Sequence, residues 1–128
     1  MKKTVDLGVL YSQSGTYAAI SQADLRGAMA VIDELNASSS AQISFRPILR
    51  DPEGRIYRYA PLCADIIANS DARHVIGCVT SSARKEVIPI LDRTNAMLWY
   101  NLPFEGFETS TRVIYSHACA NQRLLPLL

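Results

Sequence analysis

Three short runs in this 128-residue sequence carry the side chains that could do chemistry. Ser12-Gln13-Ser14-Gly15-Thr16 gathers hydroxyls around a glycine. Such a loop can hold an anion or a carbonyl oxygen with backbone N–H groups and hydroxyls, or it can simply cap the helix that follows. Thr80-Ser81-Ser82 directly follows an apolar run and precedes a helical pattern, so hydroxyls and unpaired N–H groups converge on one point, where a ligand carbonyl or carboxylate would fit. Trp99-Tyr100-Asn101-Leu102 sets an aromatic wall beside an amide, which suits a small, neutral, polar ligand that needs stacking surface and hydrogen bonds. Strand alternation makes Trp99 a core residue and points Tyr100 into the cleft.

Bond-breaking chemistry lacks its partners. His74 and His117 have no G-x-S-x-G serine to serve, and Ser82-Ala83-Arg84-Lys85 matches S-x-x-K without the S-D-N or K-T-G signatures that would give it meaning. Neither G-x-G-x-x-G nor G-x-x-x-x-G-K-[ST] occurs, so dinucleotide and P-loop readings fail. A receiver domain would need an acidic pair after its first strand and an Asp ending its third, where Ser12, Gln13 and Cys78 stand. The odd set Cys63, Cys78 and Cys119 forms no C-x-x-C or Cys/His cluster and reads as buried reduced thiols, with no metal site and no cofactor implied. A net charge of +1 offers no basic stripe for nucleic acid, and no apolar stretch approaches the ~20 residues that span a bilayer.

The elements that must position these runs follow from periodicity. With 48% apolar and 20% charged residues the chain is a globular domain able to bury a core. Residues 5–11 read as a strand entering the first hydroxyl loop, and Leu25, Ala28, Met29, Ile32 and Leu35 form the stripe of a helix stopped by Asn36 and the serines at 38–40. Ile43, Phe45, Pro47 and Leu49 alternate as a second strand, which Pro47 pushes toward a sheet edge. Tyr59, Leu62, Cys63, Ile66 and Ile67 mark a second helix, residues 74–79 a third strand, and Val87, Ile88 and Leu91 a third helix that Pro89 should kink or shorten. Residues 96–100 and 112–115 are further strands flanking a long irregular loop, and residues 121–128 resemble the start of another helix. Alternating strands and helices at this spacing mean right-handed βαβ units: an α/β, Rossmann-like parallel sheet with helices on both faces, whose ligands bind beyond the carboxyl ends of the strands near the topological switch point. The residues of these loops that could meet a ligand are therefore Ser12, Ser14, Thr80, Ser81, Tyr100 and Asn101.

Several stretches carry a family likeness: SQSG after the first strand, DPEGRIYRYAPLCADIIAN, GCVTSSARKEVIPILDRTNAMLWY and PFEGFE at 103–108. In this order they resemble type I periplasmic-binding-protein-like receptors, most closely the short-chain amide and urea group, over residues 5–122. That group includes a cytosolic amide sensor that regulates an aliphatic amidase operon and the amide and urea binding components of ABC transporters. The resemblance implies a non-enzymatic, two-lobed protein that closes on its ligand, of which residues 1–128 are the N-terminal ligand-binding lobe, incomplete and without its second lobe. It implies that a ligand carbonyl or carboxylate sits against Ser81 and against groups at Tyr100, Asn101 and Leu102. Val79 and Leu102 depart from the aromatic and the threonine usual in the amide sensors.

The expected function is binding of a short-chain amide or urea by a cytoplasmic sensor, with lobe closure changing its grip on a regulatory partner of antiterminator type. The alternatives are the substrate-binding component of an amide, urea or branched-chain amino acid ABC transporter, periplasmic after loss of a signal peptide and partnered by a permease, and a flavodoxin-like flavoprotein using Ser12 to Thr16 as a phosphate loop. A lobe standing alone, with Ile114, Leu124 and Leu125 lacking covering elements, is expected to bind amides weakly or not at all and to self-associate or be unstable.

Overall fold

The computed structural model describes residues 1–106 and 108–115. Phe107, the expected helix at 121–128 and Cys119 lie outside the described residues.

Five strands, β1 (Lys3–Leu10), β2 (Ile43–Arg50), β3 (His74–Gly77), β4 (Met97–Tyr100) and β5 (Val113–Tyr115), form one sheet in the order β2-β1-β3-β4-β5, every neighbouring pair parallel. Strand order reverses between β1 and β3, which creates the topological switch point. Pro47 sits in β2, an edge strand of this sheet, where a missing N–H costs least.

Three helices connect the strands: α1 (Ala18–Ala37), α2 (Tyr59–Ala68, entered through a 3-10 turn at Ile56–Arg58) and α3 (Ser81–Thr94). Alternation along each strand sorts its residues between two faces. Leu10, Val75, Leu98, Tyr100 and Val113 pack with Cys63, Ile66 and Ile67 of α2 and Ala83, Val87, Ile90 and Leu91 of α3 in the main core. On the opposite face Val9, Tyr11 and Val79 form a smaller cluster with Leu25 of α1 and Ile76. The parallel sheet with helices on both faces is thus observed.

Two sequence expectations change. Strand β3 ends at Gly77 instead of residue 79, because Gly77 (φ 152°) and Cys78 (φ 63°) turn the chain out of the extended region, with the Cys78 N–H donating to the Leu10 carbonyl at 3.0 Å. A Cβ on Gly77 would lie 2.2 Å from that same carbonyl oxygen, so only glycine fits there. Helix α3 is not cut short at Pro89 but runs on to Thr94, closing on Asn95 in the left-handed conformation. Burial of Val87, Ile90 and Leu91 on either side of Pro89 offsets the hydrogen bond that proline removes.

Candidate functional site

The carboxyl ends of β1, β2 and β3 meet at the switch point around a cavity of about 200 Å³. The loop after β1 supplies Ser12, Ser14, Thr16 and the exposed Tyr17. The segment after β2 supplies Gly54, Ile56 and Tyr59, and the loop after β3 supplies Val79 and Thr80. Backbone approach between the first two segments depends on a pair of glycines: Gly15 (φ 89°) and Gly54 (φ 71°) are so close that a Cβ on either would stand 2.8 Å from the Cα of the other. Asp51 fixes the same junction, its Oδ1 accepting from the N–H groups of Gln13 at 3.0 Å and Glu53 at 2.7 Å.

Several of the hydroxyls are already engaged. Ser12 is buried; its Oγ accepts from the Gly54 N–H at 3.0 Å and pairs with the Tyr59 hydroxyl at 2.9 Å. Burial pushes the Tyr59 phenol above its ordinary range, so it stays protonated and neutral at physiological pH. Thr80 is the N-cap of α3, accepting from the Ala83 N–H at 3.1 Å. Ser12 and Thr80 therefore shape the cavity as much as they line it. Among the described residues the lining carries no Lys, Arg, Asp, Glu or His, only hydroxyls, phenols, a glycine and aliphatic groups. Such a surface recognises a small polar organic molecule by hydrogen bonds and apolar contact.

The remaining sequence candidates fall elsewhere. Ser81, in the first turn of α3, donates to Glu105 Oε2 at 2.6 Å. Asn101 Oδ1 accepts from the Tyr11 hydroxyl at 3.3 Å, and Leu102 packs against both core clusters. For the two aromatics the expectation is reversed: Trp99 is 40% exposed and Tyr100 only 2%. Even-numbered β4 residues face the side of α2 and α3, where Tyr100 packs in the main core against Arg84 of α3 and Tyr115. Odd-numbered ones face the side of α1, which packs against β2 at the far edge of the sheet and leaves Trp99 open, donating to His74 Nδ1 at 3.0 Å. Tyr100 instead lies under the guanidinium of Arg84, whose Cζ is 4.7 Å from the ring centroid.

Arg84 is what the sequence reading missed. Its side chain is fully buried, with Nε donating to Glu108 Oε2 at 2.7 Å, NH2 to Glu105 Oε1 at 3.0 Å and NH1 to Ser81 Oγ at 3.4 Å. Burial works against its charge, but hydrogen bonding to Glu108 and the charges of Glu108 and Glu105 outweigh it and raise the guanidinium pKa. Glu105 is held down to about 2, first by the Ser81 hydroxyl and then by its own backbone N–H; burial opposes this, and Arg84 adds to the lowering. Phe104 stacks on Tyr115 at 4.0 Å and the Tyr115 hydroxyl meets Glu108, so Arg84 ties the irregular loop after β4 back to α3. The signal was in the sequence as the RK and PFEGFE pieces, but only as a likeness, without a physical role.

This parallel sheet, with a cavity at its switch point, has the periplasmic-binding-protein fold. The chain belongs to that family: residues 5–128 match the family described as periplasmic binding protein domain. Among solved structures it is similar to the branched-chain amino acid transporter substrate binding protein LivJ of Streptococcus pneumoniae in complex with isoleucine (TM-score 0.80, 19% identity, 97% of this chain and 39% of that one). It is also similar to the leucine binding protein LivK of Thermotoga maritima (TM-score 0.76, 16% identity, 93% and 34%). A third is the solute binding protein of an ABC transporter from R. palustris in complex with 4-hydroxybenzoate (TM-score 0.74, 20% identity, 97% and 34%). At these identities the likeness is one of fold, and the chain spans less than two fifths of the length of each.

Proposed function

We propose that this chain is the N-terminal ligand-binding lobe of a two-lobed, non-enzymatic substrate-binding component of an ABC transporter, taking a small polar organic solute such as an amino acid. The observation that carries the reading is the uncharged cavity at the switch point, built by three loops on a fold shared with transport binding proteins. Lobe closure over that cavity would bury the ligand between two walls and present the closed form to a permease, a population shift driven by contacts made only when both lobes engage.

The amide or urea sensor of amidase expression rests on the sequence resemblance of the SQSG, DPEGRIYRYAPLCADIIAN, GCVTSSARKEVIPILDRTNAMLWY and PFEGFE stretches, whereas the similar solved structures named above are binding proteins of amino acid and aromatic-acid transport. The transport reading is therefore the better supported of the two, and family membership displaces the flavodoxin-like alternative.

The test is a titration of the ¹⁵N-labelled chain with isoleucine, leucine, acetamide, urea and 4-hydroxybenzoate, followed by amide chemical shifts. A ligand of this lobe moves the signals of Ser14, Thr16, Val79 and Thr80 together, with millimolar affinity for a single wall. If none of the five moves them, the binding reading fails.

A further inference from the structure

The hydroxyl of Ser12 and the phenol of Tyr59 carry two protons between them, and the bond that joins them, at 2.9 Å, uses one. Whichever oxygen donates, one proton is left over. The phenol is the more acidic O–H and the stronger donor, so Tyr59 gives its proton to Ser12 Oγ, which also accepts from the Gly54 N–H at 3.0 Å. Those two bonds fill both lone pairs of Ser12 Oγ and leave its own proton as the remaining arm of a tetrahedral oxygen. Ser12, Tyr59 and Gly54 all line the switch-point cavity, and among the described residues no further acceptor takes that proton. Ser12 and Tyr59 are each 3% exposed, so the cavity is where the proton finds its partner.

We propose that the Ser12–Tyr59 pair is a hydrogen-bond donor of this cavity and selects a ligand group that carries an acceptor oxygen, a carbonyl or a carboxylate, over one that offers an N–H. This deepens the binding reading above and rests on it. Tyr59 and Gly54 have used the acceptor capacity of Ser12, so an N–H brought to this oxygen finds no free lone pair and leaves a buried O–H unpaired. The phenol oxygen is a poor substitute, because its lone pair is drawn into the ring and it is itself met by the Ser12 backbone N–H. Tyr59 thus acts through Ser12 as a positioning residue. It turns a hydroxyl able to donate or accept into one that only donates.

N,N-dimethylformamide and pyrrole are uncharged and nearly the same size; the first has an acceptor oxygen and no N–H, the second an N–H and no acceptor oxygen, which makes them the probes. In separate titrations of the ¹⁵N-labelled 128-residue chain at pH 7, dimethylformamide should move the amide signals of Ser12 and Gly54 and bind there at least about tenfold more tightly than pyrrole. Tyr59→Phe keeps the ring in the core and returns a lone pair to Ser12 Oγ, and should shrink that preference to about threefold or less. Should the variant not fold, the preference of the unmodified chain decides alone. Pyrrole binding as tightly as dimethylformamide, a folded Tyr59→Phe with unchanged preference, or Ser12 and Gly54 signals that neither probe moves overturns the proposal. The binding reading is judged separately by the five-ligand titration: it stands if Ser14, Thr16, Val79 and Thr80 move there, whatever the two probes do.

Discussion

Replacing Arg84 by Met tests whether a buried cation holds the loop after β4. Met keeps most of the apolar stem and removes the guanidinium with its bonds to Glu108, Glu105 and Ser81. The dominant loss is at Glu108, whose side chain is 12% exposed and would be left as a nearly buried carboxylate without its cation. Orphaning one partner of a buried pair costs about 3–5 kcal/mol. Glu105 is half exposed and keeps the Ser81 hydroxyl and Lys85, so its share is close to nothing. The lost cation–π contact with Tyr100 is about 0.5–2 kcal/mol, which a Met sulfur against the same ring largely returns. The expected cost is therefore about 3–4 kcal/mol, a large fraction of a stability of about 5–15 kcal/mol. Urea unfolding at pH 7 followed by far-UV circular dichroism measures it. Adding Glu108→Gln to Arg84→Met should recover at least about 1 kcal/mol by removing the stranded charge. A loss below about 1 kcal/mol for Arg84→Met, or no recovery in the double variant, would refute the reasoning.

Four other perturbations follow from the same geometry. Gly77→Ala should destabilise the chain by about 2–3 kcal/mol, because its Cβ meets the Leu10 carbonyl, whereas Gly27→Ala in α1, with open space around it, should gain about 0.5–1 kcal/mol; equal midpoints in urea would contradict both. Asp6, held down by the Arg46 guanidinium and the Asp71 N–H, and Glu105, held to about 2, bind protons less readily folded than unfolded. Their stabilisation is complete above the ordinary carboxylate range of about 4 and is lost as pH falls toward 2, so a urea midpoint that stays constant between pH 5 and pH 2.5 would count against it. Cys63, buried and pushed up to about 12, and Cys78, buried and raised further by the same desolvation, should resist iodoacetamide at pH 8 until denaturant is added, as peptide mass mapping would show. Thr80→Ala removes the N-cap of α3 and should cost about 1 kcal/mol in the same urea assay.

The layout of elements was legible because it is encoded locally. The stripe from Leu25 to Leu35 can bury one face only as a helix. The alternation from Ile43 to Leu49 can do so only as a strand, and serine and threonine runs mark the ends. The sequence alone therefore determines the order of strands and helices, the parallel sheet, the edge position of the Pro47 strand and the carboxyl edge as the place of the loops. It does not determine which side of a strand is covered. Trp99 and Tyr100 are both large aromatics in a four-residue strand, and only the packing of α2 and α3 on one face, with α1 against β2 on the other, buries Tyr100 and leaves Trp99 open. Nor do neighbours in sequence reveal the proton that Ser81 gives to Glu105, 24 positions away, or the buried charge of Arg84 between Glu105 and Glu108. Those contacts exist only once β3, α3 and β4 have brought the two segments together, and a hydroxyl with a single proton can then serve only the acceptor that the tertiary fold has set beside it.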